Sequence, residues 1–274
     1  MTDQHLKPQI KAYLERIGYT GPLDGSAEAL AGLQEAHLLA VPYENLDILN
    51  GVPLSLNVDA LWDKIVLRRR GGYCFELNAL FGWLLRELGY EVTDLVARFW
   101  RDEVVFPPMR RHHVLKVEAE DAAYLCDVGV GGVVPRRSLV LEADIEQKRG
   151  DETYCFRRDA QFGWFLCELK KGEWKQVYSF TEEQQFARDY AFASYWCQYA
   201  PESPFREEAK LSLCTPEGRH TAAGREIRIF KNGEATVLTP ATQAEFDAAA
   251  EKYFGIVIPA AAANEEEAQG EGRV

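Results

Sequence analysis

From Leu77 the apolar residues of the chain fall at Leu77, Leu80, Phe81, Leu84, Leu85 and Leu88, with Gly89 directly after the last of them. That three-and-four spacing is one face of a helix, and the glycine is a C-terminal stop signal. Earlier in the chain, Ile10, Tyr13, Leu14 and Ile17, closed by Gly18, give a shorter amphipathic helix. Ser26 can N-cap a second helix carrying Leu30, Leu33 and Leu38. Pro42 ends it, because proline disfavours helical geometry at Val41 and has no N–H to donate. Residues 1–89 therefore read as a helical unit that ends with the Leu77 helix.

After Glu91 the texture changes to short strand-like runs over residues 92–100, 112–119, 124–128, 154–156 and 164–169, separated by turn residues. This is the signature of a sheet or small barrel over residues 90–200. Residues 186–198 are rich in aromatics, and Pro201-Glu202-Ser203-Pro204-Phe205 reads as a connector. Residues 201–258 mix strands at 226–230 and 236–238 with a helix over 243–254, and Lys231-Asn232-Gly233-Glu234 is a hairpin-turn candidate. The last stretch, 259–274, is rich in Ala, Glu and Gly without apolar periodicity, which predicts a disordered acidic tail. The fold class is α+β.

A chain of 274 residues can bury an ample core without disulfides or structural metal. Its 47% apolar and 12% aromatic content, with no apolar run near the length of a membrane span, predicts a soluble globular protein. No basic flank followed by an apolar core lies near Met1, so no secretory signal is expected and the cytoplasm is the expected location. The six cysteines contain no C-x-x-C pair, and the five histidines no H-E-x-x-H or structural-zinc spacing, so neither disulfides nor a metal centre is expected. A net charge of −12 opposes binding to nucleic acid and to anionic membranes.

Against this background Cys74 stands out, because it falls in the first turn of the Leu77 helix, after Arg70-Gly71-Gly72-Tyr73. Unpaired N–H groups and the positive end of the helix dipole favour a thiolate there, and the thiolate is the reactive species. By itself a cysteine at a helix start is more often plain packing. A nucleophilic cysteine also needs a base and a third group to orient that base. Residues 112–119 and 124–128 look like the arms of a hairpin. With a two-residue loop at Glu120-Asp121, Ala119 faces Ala122, and His112, Val114 and Asp127 share one face of the ribbon. His112 then lies diagonally from Asp127, roughly 7 Å between backbones, a gap an imidazole and a carboxylate can close. His113 turns to the opposite face with Leu115 and Val117; a loop of odd length would exchange the two histidines. Gly129, Gly131 and Gly132 follow, permitting close approach of a ligand or of backbone.

The segments Val41-Pro42-Tyr43-Glu44-Asn45, Arg70-Gly71-Gly72-Tyr73-Cys74-Phe75-Glu76-Leu77-Asn78, His112 with Leu115 and Val117, and Asp127-Val128-Gly129-Val130-Gly131-Gly132 resemble the signature segments of the arylamine N-acetyltransferases, in that family's order. Pro201-Glu202-Ser203-Pro204-Phe205 resembles the opening of the family's third domain, so the similarity spans about residues 5–258. The 15-residue step from His112 to Asp127 matches the family's histidine-to-aspartate spacing and selects His112 over His113.

The resemblance implies an N-terminal helical bundle, a central β-barrel and a C-terminal α/β lid. It implies a Cys74–His112–Asp127 triad where the first two meet, acetyl-CoA as acyl donor without a metal, and a small aromatic amine or hydrazine as acceptor. It also implies ping-pong chemistry through an S-acetyl-cysteine, an Arg70–Glu44 ion pair bracing the cysteine loop, and an acceptor pocket lined by Tyr43, Val130 and Phe205. Tyr43 and Val130 stand where the family frequently has phenylalanine, so the resemblance leaves substrate preference open. Macrolactam-forming amide synthases share these motifs and the fold, and cysteine hydrolases combine the same residue types. The three are separated by which acyl donor and acceptor are productive.

Overall fold

The computed structural model describes residues 6–101, 103–132 and 134–258; the acidic tail expected over 259–274 lies outside the described residues. Helix α1 (Pro8–Ile17) stops at Gly18, whose φ of 64° lets its N–H close back onto the last turn. Helix α2 (Ala27–Ala40) begins at Ser26, whose hydroxyl accepts from the Ala29 N–H, and gives way at Val41 to extended chain. The segment after Pro42 forms β1 (Tyr43–Glu44), then the short helix α3 (Leu46–Leu49) and helix α4 (Val58–Trp62), which runs on as a π-helical turn over Asp63–Leu67. Helix α5 (Cys74–Glu87) carries the apolar stripe read from the sequence. Leu77, Leu80, Phe81, Leu84 and Leu85 are all fully buried. At about 2 kcal/mol per such side chain, that face anchors the helix with on the order of 10 kcal/mol.

Strands β2 (Glu91–Phe99), β3 (Arg110–Ala119), β4 (Ala122–Cys126), β5 (Leu139–Val140), β6 (Gln147–Arg149), β7 (Glu152–Asp159), β8 (Gly163–Lys170) and β9 (Glu173–Phe180) form one sheet in the order β5-β4-β3-β2-β9-β8-β7-β6. It curls into a nearly closed barrel. At the seam the Gln147 amide does the work of a ladder: its Oε1 accepts from the Val140 N–H at 2.9 Å and its Nε2 donates to the Val140 carbonyl at 2.8 Å. Both open edges are thereby tied through one side chain.

Helix α6 (Tyr190–Tyr199) forms from the aromatic stretch and leads into the C-terminal part. There β10 (Lys210–Thr215), β11 (Gly218–Ala223), β12 (Glu226–Lys231) and β13 (Glu234–Leu238) form an antiparallel sheet, and α7 (Gln243–Phe254) covers one face. Leu211, Ala222 and Ile227 pack there against Phe246, Ala250 and Phe254. The Asn232-Gly233 turn is as expected, with φ of 51° and 84° at its two residues and Lys231 paired with Glu234. The fifth strand of this sheet is β1, with Tyr43 opposite Ser212 and Glu44 opposite Leu211. β1 also bridges to Gly72, whose carbonyl accepts from the Glu44 N–H at 2.8 Å. Two residues thus connect the loop before α5 to the C-terminal sheet. Among the described residues no helix is long and apolar enough to cross a membrane.

Candidate active site

Cys74 is the first residue of α5, and the chain reaches it through a crowded turn. A Cβ on Gly71 would lie 2.1 Å from the Pro42 carbonyl oxygen, so only glycine fits beside that strand. The helix start is fastened by Glu76, whose carboxylate accepts from the Tyr73 N–H at 3.1 Å. Cys74 is 3% exposed, and its sulfur stands 3.7 Å from the Arg111 carbonyl oxygen.

The hairpin supplies the other members. β3 and β4 pair with Ala119 opposite Ala122 and Leu115 opposite Cys126, the register of a two-residue loop. Glu120 makes the turn by taking a left-handed φ of 54°, so no Asn-Gly or Asp-Gly pair is needed. His112 Nε2 meets Asp127 Oδ2 at 2.7 Å, and both residues are buried. Its ring lies within electrostatic reach of the Cys74 sulfur, and both residues line one cavity. His113 points to the other face, bonds Asp94 Oδ1 through Nε2 at 2.9 Å and lies against Phe75 and Tyr190. The structure therefore brings Cys74, His112 and Asp127 together and leaves His113 out.

The electrostatics of the cluster follow from who faces whom. Burial alone would make His112 harder to protonate, but the Asp127 charge and hydrogen bond, with a further contribution from the Cys74 sulfur, reverse this and raise its pKa to about 10. Burial would likewise raise Asp127, yet His112 and hydrogen bonds from Asn78 and the Gly129 N–H hold its carboxyl below the ordinary range. Two buried charges in contact sustain each other.

Several residues that sequence reasoning passed over complete this cluster. Asn78 donates to Asp127 Oδ1 at 2.9 Å and to the His113 carbonyl at 2.7 Å, and accepts from the Val128 N–H at 3.0 Å. It lies four residues after Cys74, one turn along the same helix face, so its position was readable from spacing. Gln34 accepts from the Asp127 N–H at 3.3 Å and donates to the Pro135 carbonyl at 2.7 Å. The rings of Phe99 and Tyr178 flank His112 with centroids 5.5 and 5.2 Å away.

Cys74 and His112 open into a cavity of about 550 Å³ whose walls include Tyr43, Val130 and Phe205, the positions expected there. Its far wall is the C-terminal sheet, through Lys210, Thr221, Glu226 and Arg228. The glycines after Asp127 serve close packing: a Cβ on Gly129 would lie 2.6 Å from Cys74 Cα, and one on Gly131 2.7 Å from the Tyr43 ring.

The Arg70–Glu44 pair is present, with Nη2 at 2.7 Å and Nε at 3.1 Å from Glu44 Oε1, and it is the centre of a larger network. Arg70 also reaches Asp47 at 2.9 Å, and Lys64, turned inward by the π-helical segment, bridges Asp47 and Glu76 at 2.8 Å each. Burial raises the Glu76 pKa to about 7, against the pull of Lys64. The Arg68-Arg69-Arg70 run does not line the cavity; Arg68 pairs with Asp63 and Arg70 is committed to Glu44 and Asp47.

A family model described as N-acetyltransferase matches residues 26–263. An arylamine N-acetyltransferase of Mycobacterium tuberculosis is 35% identical over 255 residues, covering 91% of this chain and 89% of that protein. One from Escherichia coli is 30% identical, covering 84% and 82%. Among solved structures, the arylamine N-acetyltransferase of Salmonella typhimurium superposes with a TM-score of 0.89 at 29% identity, covering 94% of each chain. That of Mycobacterium marinum in complex with CoA superposes with a TM-score of 0.85 at 34% identity, covering 90% of this chain and 92% of that one.

Proposed function

The chain belongs to the arylamine N-acetyltransferase family, and on that premise we propose that it transfers acetyl from acetyl-CoA to arylamines or arylhydrazines through an S-acetyl-Cys74 intermediate. The observation that carries this reading is the His112 ring held between the Cys74 sulfur and the Asp127 carboxylate at the floor of the cavity. Asp127 fixes the ring and stabilises its cation, so that His112 can take the Cys74 proton as the sulfur attacks.

In the first half-reaction the Cys74 sulfur attacks the thioester carbonyl, and the CoA sulfur leaves with the proton held by His112. In the second, the acceptor nitrogen attacks the acetyl carbonyl, His112 takes the nitrogen's proton, and the Cys74 thiolate departs. The Cys74 N–H, at the open end of α5, is a donor for the oxyanion in both steps. Tyr43, Val130 and Phe205 form the apolar wall for the acceptor ring, and the Arg70–Glu44 pair braces the cysteine loop. In this reading residues 1–89 carry the nucleophile, 90–200 carry the base and its partner, and 201–258 close the cavity.

The test is to incubate the protein with acetyl-CoA and no acceptor, then measure intact mass. One acetyl group on Cys74 is expected in the wild type and none in Cys74→Ala. Absence of the adduct in the wild type, or its survival in the variant, would sink the mechanism.

A further inference from the structure

Cys155 and Cys167 play no part in the chemistry above. They face each other directly across the antiparallel pair β7 and β8. Along β7, Tyr154 and Phe156 point into the main core, so Cys155 points to the barrel's outer face, and along β8 Cys167 does so with Phe165. There the two thiols are buried under a small aromatic cover of Trp100, Phe162 and Trp174. Each thiol lies within electrostatic reach of the other. No register places any other pair of cysteines opposite one another among the described residues.

Directly opposed residues of antiparallel strands have Cα atoms about 4.5–5.5 Å apart, inside the range a disulfide spans. Their Cβ atoms stand about 4.5–5.5 Å apart, whereas a disulfide draws them to about 4 Å, so closure requires a small local movement. The ladder beside Cys167 is already interrupted, because the pairing of β8 with β9 shifts register between Leu166 and Cys167 and leaves Val177 of β9 unpaired. A bridge formed under that constraint is of the labile, reversible kind.

We infer that Cys155 and Cys167 are a redox-active dithiol, which a small-molecule disulfide such as oxidised glutathione converts to an intramolecular disulfide and which free thiols restore. The Cys155 thiolate attacks one sulfur of the glutathione disulfide, expelling one glutathione thiolate and leaving a mixed disulfide. The Cys167 thiolate then attacks the Cys155 sulfur and expels the second glutathione. Two protein thiols and one glutathione disulfide become one protein disulfide and two glutathione thiols, with both protons carried away by the leaving groups. Burial raises both thiols, but Arg157 opposes this at Cys155 through charge and hydrogen bond and at Cys167 through charge alone, which makes Cys155 the attacking member.

The experiment equilibrates the full-length protein in glutathione buffers graded from reduced to mostly oxidised, quenches with acid, alkylates under denaturing conditions and maps tryptic peptides. As oxidation proceeds, peptides 150–157 and 159–170 should appear joined, with a mass lower by two hydrogens than the sum of the free pair. Dithiothreitol should separate them. Cys167→Ser should trap the glutathione adduct on Cys155, since the resolving thiol is gone. Both peptides remaining alkylated in every buffer, or each carrying only glutathione in the wild type, would overturn the inference. The wild-type map decides this even if the variant folds poorly.

Discussion

Replacing Gly129 with alanine would test how tightly the loop after Asp127 is held against the helix that presents Cys74. The added methyl would stand 2.6 Å from both Cys74 Cα and Asn78 Nδ2, and 3.0 Å from Cys74 Cβ, where ordinary contact begins at 3.4 Å. Loop and helix must therefore separate by at least 3.4 − 2.6 = 0.8 Å. Neither side gives easily. Asn78 Nδ2 is committed to Asp127 and the His113 carbonyl, and α5 is held by its buried leucines. Overpacking of this kind costs about 1–3 kcal/mol. At about 2–4 °C per kcal/mol for a chain of this size, the melting temperature should fall by roughly 2–12 °C. A displacement approaching 1 Å between nucleophile and base should slow acylation by about 100-fold. Rapid-quench measurement of CoA release in a single turnover reads the second effect and differential scanning calorimetry the first. Wild-type acylation together with an unchanged melting temperature would refute the close approach.

His112→Ala should abolish the acetyl adduct at neutral pH while His113→Ala keeps it, as judged by intact mass; the reverse would mean that the hairpin presents the other histidine. Gln147→Ala removes both seam bonds to Val140 and should cost about 1–3 kcal/mol in urea unfolding, with faster hydrogen exchange at the Val140 amide. The stability contributed by the His112–Asp127 pair should be bounded on both sides. Because the folded His112 pKa is raised to about 10, its contribution is full below an unfolded value of about 6.5 and is lost as pH rises toward 10. Because Asp127 is depressed, its contribution is lost as pH falls below the ordinary carboxylate range. Melting temperature against pH, compared with Asp127→Asn, should show wild type and variant converging at both extremes; a constant gap would contradict the assignment.

The parts of the fold that declare themselves by local period were readable from the sequence. The stripe from Leu77 to Leu88 and the run over 243–254 each specify a helix on their own, and both helices are where the spacing puts them. The His112–Asp127 juxtaposition needed only loop parity, which the observed register satisfies although Glu120 carries no turn marker. The far wall of the cavity was not readable. Gly218–Ala223 has the sequence GRHTAA, with one β-branched residue in six, and is a strand because β10 and β12 hydrogen-bond to it on both sides. Lys210, Thr221 and Arg228 therefore had no assigned face. Lys64 escaped for a related reason: its inward direction comes from a π-helical turn, which carries no compositional signal.

The strand Tyr43–Glu44 makes the C-terminal sheet something other than a detachable cover. Its two residues pair with Leu211 and Ser212 on one side and with Gly72 on the other, two positions before Cys74. A shear of β10 consequently arrives at the nucleophile's turn through a continuous run of main-chain hydrogen bonds, with no hinge between. Cutting away residues 201–258 would leave β1 with an unsatisfied edge and the cysteine loop without its backing, so a part of the chain more than a hundred residues from Cys74 in sequence is also one of its mechanical supports.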